Sequence, residues 1–87
     1  MFSKEVRVTN QVGLYAKAAT TFVQKANEFK STIWVEKEER RVNAKSLLGI
    51  LSMGLTKDSV MTVLAEGKDE QEAVMALVEL AGDDSAD

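Results

Sequence analysis

The stretch KEVRVTNQVGLYAKAATTFVQKANEF, Lys4 to Phe29, changes period in its middle. Up to Val8 it alternates. Val6 and Val8 fall on one side of an extended chain, Glu5 and Arg7 on the other, as in a strand with one buried face. NQVG, Asn10 to Gly13, reads as a turn. From Ala16 the apolar residues recur every three or four positions (Ala16, Ala19, Phe22, Val23, Ala26, Phe29), which makes one helical stripe. Lys17, Thr21, Gln24 and Lys25 lie largely off it. The helix is expected to end near Phe29 or Lys30.

Working outward, STIWVE (Ser31 to Glu36) is β-branched and aromatic, hence a strand. KEE is a polar turn without Gly or Asn, so its type is not set by sequence. RRVNA returns as a short strand and closes a hairpin. KSLLGILSMG, Lys45 to Gly54, reads as a short helix with Ser46 as N-cap and Gly54 as terminator. SVMTVLAEG, Ser59 to Gly67, is the last strand. In the closing helix Asp69 and Glu72 resemble a capping box with Asp in place of Ser or Thr. Its apolar stripe is Ala73, Val74, Leu77, Leu80 and Ala81, and Gly82 ends it. The acidic tail, 83–87, is expected to fray. The order is β-α-β-β-α-β-α. Three amphipathic helices, each with one face to bury, pack most simply on one side of a four-stranded sheet, an α+β architecture.

The 87 residues fit a single domain over 1–87. Apolar residues at 45% and charged residues at 29% suit a globular chain rather than a disordered one. No cysteine means no disulfide, thiolate nucleophile or cysteine metal site, and no histidine means no imidazole base, phosphoacceptor or metal ligand. The longest apolar run, LLGILSMGL, is far too short to span a bilayer, and the first residues carry no signal-peptide core. A cytoplasmic protein without membrane contact is expected. A net charge of −3 offers no basic field for nucleic acid.

Three sites stand out. Ser46 reads as an N-cap serine, or as a phosphorylation site at the positive end of a helix beside Lys45. Leu47, Leu48, Ile50, Leu51 and Met53 are more apolar residues than a two-turn helix buries on one face. If Ile50 and Met53 point inward, Leu47, Leu48 and Leu51 cannot all follow, so the cluster is either a partner surface or a small helix buried on two sides. Tyr15 and Lys17 open the first helix. They read as a packing residue and a solvated charge, or as part of an anion-attracting helix terminus. A phenol with a pKa of about 10 is a poor acid or base near neutrality. No carboxylate pair or phosphate loop argues for catalysis, and no cofactor or metal is implied.

GLYAKAAT, FVQKANEF and VNAKSLLGILSMG resemble segments of the HPr family, the small phosphocarrier proteins of the bacterial sugar phosphotransferase system. The likeness runs from the first strand to the last helix. It implies an open-faced sandwich, an antiparallel four-stranded sheet covered on one side by three helices. In the family the first segment reads Gly-Leu/Ile-His-Ala-Arg-Pro-Ala-Thr, and its histidine passes a phosphoryl group from Enzyme I to sugar-specific transporter components. Here Tyr15, Lys17 and Ala18 replace that histidine, the arginine and the proline. A tyrosine phosphate ester is not labile like phosphohistidine, and lysine lacks the planar fork that grips phosphate oxygens.

The resemblance therefore implies a protein that does not carry phosphate in the relay, similar to catabolite-repression HPr, a branch that lacks the histidine and keeps the serine. That branch has glutamine at position 15 and keeps the arginine and proline. In Gram-positive relatives HPr kinase/phosphorylase phosphorylates the serine matching Ser46, and the product binds a catabolite-control repressor of the LacI type. By residue-to-residue match the partner face is Tyr15, Lys17, Thr20, Gln24, Ser46, Leu47, Leu48 and Leu51. The alternatives are a phosphocarrier with an altered active segment, and a binding module that works through its leucines without phosphorylation.

Overall fold

A computed structural model describes residues 1–9, 13, 14 and 16–84. The strands are β1 (Phe2–Val8), β2 (Thr32–Lys37), β3 (Arg40–Asn43) and β4 (Val60–Glu66), with a short β5 (Gly82–Asp84). The helices are α1 (Ala16–Ala26), α2 (Leu47–Ser52) and α3 (Glu70–Ala81). All pairings are antiparallel, in the order β3-β2-β4-β1-β5.

The register explains which residues are buried. Val6 stands opposite Met61 on β4, and Val35 stands opposite both Val63 on β4 and Val42 on β3. With Val8, Ile33 and Ala65 these residues form the face under the helices. The helices answer with Ala19, Phe22 and Ala26 from α1, Ile50 from α2, and Ala73, Val74, Leu77, Val78 and Ala81 from α3. The opposite face is open. There the Arg41 guanidinium lies 5.7 Å from the Trp34 ring centroid, within cation–π range, and pairs with Glu36 at 3.1 Å. Leu64, opposite Trp34 on this open face, is only 8% exposed.

Four expectations need correction. First, α1 ends at Ala26 rather than near Phe29. The amides of Glu28 and Phe29 turn back to the carbonyls three residues before them, those of Lys25 and Ala26, and this tightens the chain out of the α-helix. Second, Leu80 is exposed, and Val78 takes its place in the buried stripe. Third, residues 83 and 84 of the tail expected to fray pair with β1, since the Gly82 cap turns the chain back alongside Val8; residues 85–87 lie outside the described residues.

The fourth concerns Asp69, which makes no capping bond although it sits at the N-cap of α3. Its carboxylate accepts instead from the Ser31 hydroxyl, the Ser31 amide at 3.0 Å and the Lys30 amide at 2.9 Å. Glu70 in turn accepts from the Gly67 amide at 3.1 Å, a bond that lowers its pKa, as does the chain's amino terminus beside it. Gly67, with φ +152°, makes the close approach possible: a Cβ there would stand 2.5 Å from Ser31 Oγ. The turn before α3 is thereby pinned to the turn before β2.

The Ser31 hydroxyl, then the Lys30 amide, hold the Asp69 carboxyl at a pKa of about 2, below its usual 3.8, against the opposing effect of desolvation. A lowered folded-state pKa gives stability that is full above the unfolded value and is lost as pH falls through the folded one. The melting-temperature gap between wild type and Asp69→Asn is therefore expected to be widest near neutrality. It should close between pH about 4 and about 2. Thermal melts of both proteins across that range check it, and a gap that does not change with pH would refute the pin.

Candidate functional site

Helix α1 lies between α2 and α3. Lys17, Thr20 and Gln24 are exposed along it, while Phe22 and Ala26 reach the core. Tyr15 lies outside the described residues.

Two short stretches set the site's geometry. The first is Gly13–Leu14, where the Leu14 amide donates to the Leu55 carbonyl at 2.7 Å. This bond holds the approach to α1 against the segment that leaves α2. The second is α2 itself. Ser46 is extended (φ −106°, ψ 117°), and its hydroxyl accepts from the Gly49 amide at 3.1 Å, the bond an N-cap serine makes. Ser46 is half-buried.

Ile50 and Met53 point inward, and Leu51 is half-buried against the core. Leu47 is 40% and Leu48 82% exposed, so α2 is not buried on two sides. Two leucines therefore stand in solvent directly after the capping serine, and α1, which packs against α2, exposes Lys17, Thr20 and Gln24.

Lys45, next to Ser46 in sequence, has a bond of its own. Its ammonium donates to the Phe29 carbonyl at 2.8 Å, where it satisfies an acceptor just past the end of α1. Asn27 reaches the Val23 carbonyl at 2.9 Å and the Lys45 carbonyl at 3.4 Å, so the exit of α1 and the entry to α2 are bonded together. At the other end of α2 the β2–β3 hairpin supplies Lys37 and Arg40 to the Gly54 and Ser52 carbonyls. Sequence reading missed Asn27, Lys37 and Arg40. They are ordinary surface residues until the fold places carbonyls 12 to 18 residues away within their reach.

Chemically the site offers one hydroxyl on a helix cap, an apolar pair beside it and a polar flank from α1. Among the described residues no cluster of His, Cys, Asp or Glu could hold a metal ion, and no helix is long and apolar enough to cross a membrane.

A family model described as the PTS HPr component phosphorylation site matches residues 2–83. The HPr-like protein Crh of Halalkalibacterium halodurans is 46% identical over 78 residues, 90% of this chain and 93% of that protein. The phosphocarrier protein HPr of Neisseria meningitidis is 39% identical over 80 residues, 92% of this chain and 90% of that protein. The crystal structure of HPr-C-His from Thermoanaerobacter tengcongensis matches with a TM-score of 0.91 at 47% identity, covering 93% of this chain and 91% of that one.

Proposed function

The chain belongs to the HPr family of the phosphotransferase system, and on that premise we propose that it is a regulatory adaptor switched by phosphorylation at Ser46 rather than a carrier of phosphate. The observation that carries this reading is Ser46 itself: a capping serine followed by Leu47 and the 82% exposed Leu48. A phosphate there adds a charge of about −1.5 to −2 beside an apolar pair, a change large enough to alter which partner binds. HPr kinase/phosphorylase is the proposed writer, with ATP as donor, and a LacI-type catabolite control repressor is the proposed reader. The reading face, assigned by residue-to-residue match, is Tyr15, Lys17, Thr20, Gln24, Leu47, Leu48 and Leu51.

The absence of histidine argues against the relay role of the phosphocarriers. Without an imidazole, Enzyme I and the sugar-specific transporter components could meet this chain only as contacts, not as phosphoryl donor and acceptor. The protein acts by being modified and bound, not by catalysis.

Incubation with ATP and an HPr kinase/phosphorylase is expected to add one phosphate, mapped to Ser46 by fragment mass spectrometry. Ser46→Ala is expected to take up none. Label that persists on Ser46→Ala, or none on the wild type, would sink the proposal.

A further inference from the structure

A helix of six residues cannot hold its shape by its own hydrogen bonds. The carbonyls at the C-terminal end of α2 need outside donors, and its last turn carries no basic residue. The donors come from the hairpin. Arg40 Nη1 donates to the Ser52 carbonyl at 3.0 Å and Nη2 to the Ser52 hydroxyl at 3.3 Å. That hydroxyl donates in turn to the Gly49 carbonyl at 2.7 Å, one turn back toward Ser46. Lys37 adds a bond to the Gly54 carbonyl at 3.1 Å. A cation at a helix C-terminus also opposes the partial negative charge there.

We infer that Arg40 is a positioning residue for the Ser46 platform: from the β2–β3 hairpin it orders α2 as a unit, including the end that holds the phosphoacceptor. The chain of bonds runs Arg40, Ser52, Gly49, Ser46, because the Gly49 amide is the donor to the Ser46 hydroxyl. Arg40 touches neither Ser46 nor any reacting group and acts only through the helix. The significance for signalling rests on the reading of Ser46 given above; the ordering of α2 does not. Arg41 is a built-in control. It is the next residue on the same strand with the same charge, but its side chain turns to the open face, over Trp34 and onto Glu36.

Amide hydrogen exchange on the unphosphorylated protein tests the ordering. In Arg40→Ala, exchange is expected to accelerate roughly tenfold at Met53 and also at Gly49 and Ile50, the Ser46 end of the helix. Arg41→Ala should leave all three amides at wild-type rates. Acceleration confined to Met53 would mean a local cap without reach and overturn the inference, as would equal acceleration in Arg41→Ala. With kinase and ATP, the rate of Ser46 labelling should fall several-fold in Arg40→Ala and stay at the wild-type value in Arg41→Ala. An unchanged or faster rate in Arg40→Ala overturns the positioning role. If the wild type takes no label, the Ser46 reading fails, and the exchange rates alone decide on the ordering of α2.

Discussion

Gly13→Ala is expected to cost about 3 kcal/mol of stability, a left-handed-backbone penalty of about 1–2 kcal/mol added to overpacking of about 1–3 kcal/mol. Gly13 has φ +70°, where a Cβ crowds its own carbonyl. The new Cβ would overlap the Leu55 carbonyl oxygen and stand 2.7 Å from Thr56 Cα. Both obstacles are main chain, so no rotamer change relieves them. Relief has to come from separating the two segments, which breaks the Leu14–Leu55 bond. For a domain of this size the loss is a fall in melting temperature of roughly 12–24 °C. Truncating the Leu55 side chain should not rescue it, because the clash is with the backbone: Gly13→Ala/Leu55→Ala should melt below either single variant. Rescue in the double variant would show that the side chain is the obstacle and that the segment is held differently.

The parts of this fold that could be read from sequence are those set by neighbours. The parity of Val6 and Val8, the period of Ala19, Phe22 and Ala26, and the Ser46 cap followed by Gly54 each depend on residues within one or two turns. So does the surplus of apolar residues in α2, which leaves no room inside for all of Leu47, Leu48 and Leu51 once Ile50 and Met53 are buried; that Leu48 is the one most exposed is legible only in the fold. What escaped reading depends on partners far along the chain. Asp69 looks like a cap because caps are local, yet its donors are 38 and 39 residues away. Leu64 lies on the open face and by alternation should be exposed. It is buried because strand order puts Trp34 opposite it, and strand order is not written in any single strand. Gly82–Asp84 pairs as a strand although its two aspartates are poor strand formers, since a β1 edge was available. The Glu38 turn, with φ +57° at a residue that does not favour it, is set by the two-residue span between Lys37 and Arg40.

Ile50→Ala and Leu48→Ala are expected to separate what holds α2 in place from what α2 presents. Ile50 is fully buried and is the chief apolar anchor of a helix too short to persist alone. Its truncation should cost about 3–4 kcal/mol, lost transfer energy plus the cavity left under the helix, whereas Ile50→Val should cost only about 1 kcal/mol. Leu48, at 82% exposure, has little contact to lose, and Leu48→Ala should stay within about 0.5 kcal/mol of wild type. Urea unfolding of the three variants measures these values directly. The same two residues should reverse their order in binding. With Ser46 phosphorylated, Leu48→Ala should weaken the reader's affinity while leaving the fold intact, because an exposed leucine beside a new charge has only a partner to pack against. Ile50→Val should bind as wild type. A Leu48→Ala protein as unstable as Ile50→Ala would place Leu48 in the core, and with it would go the docking surface on which the regulatory reading depends.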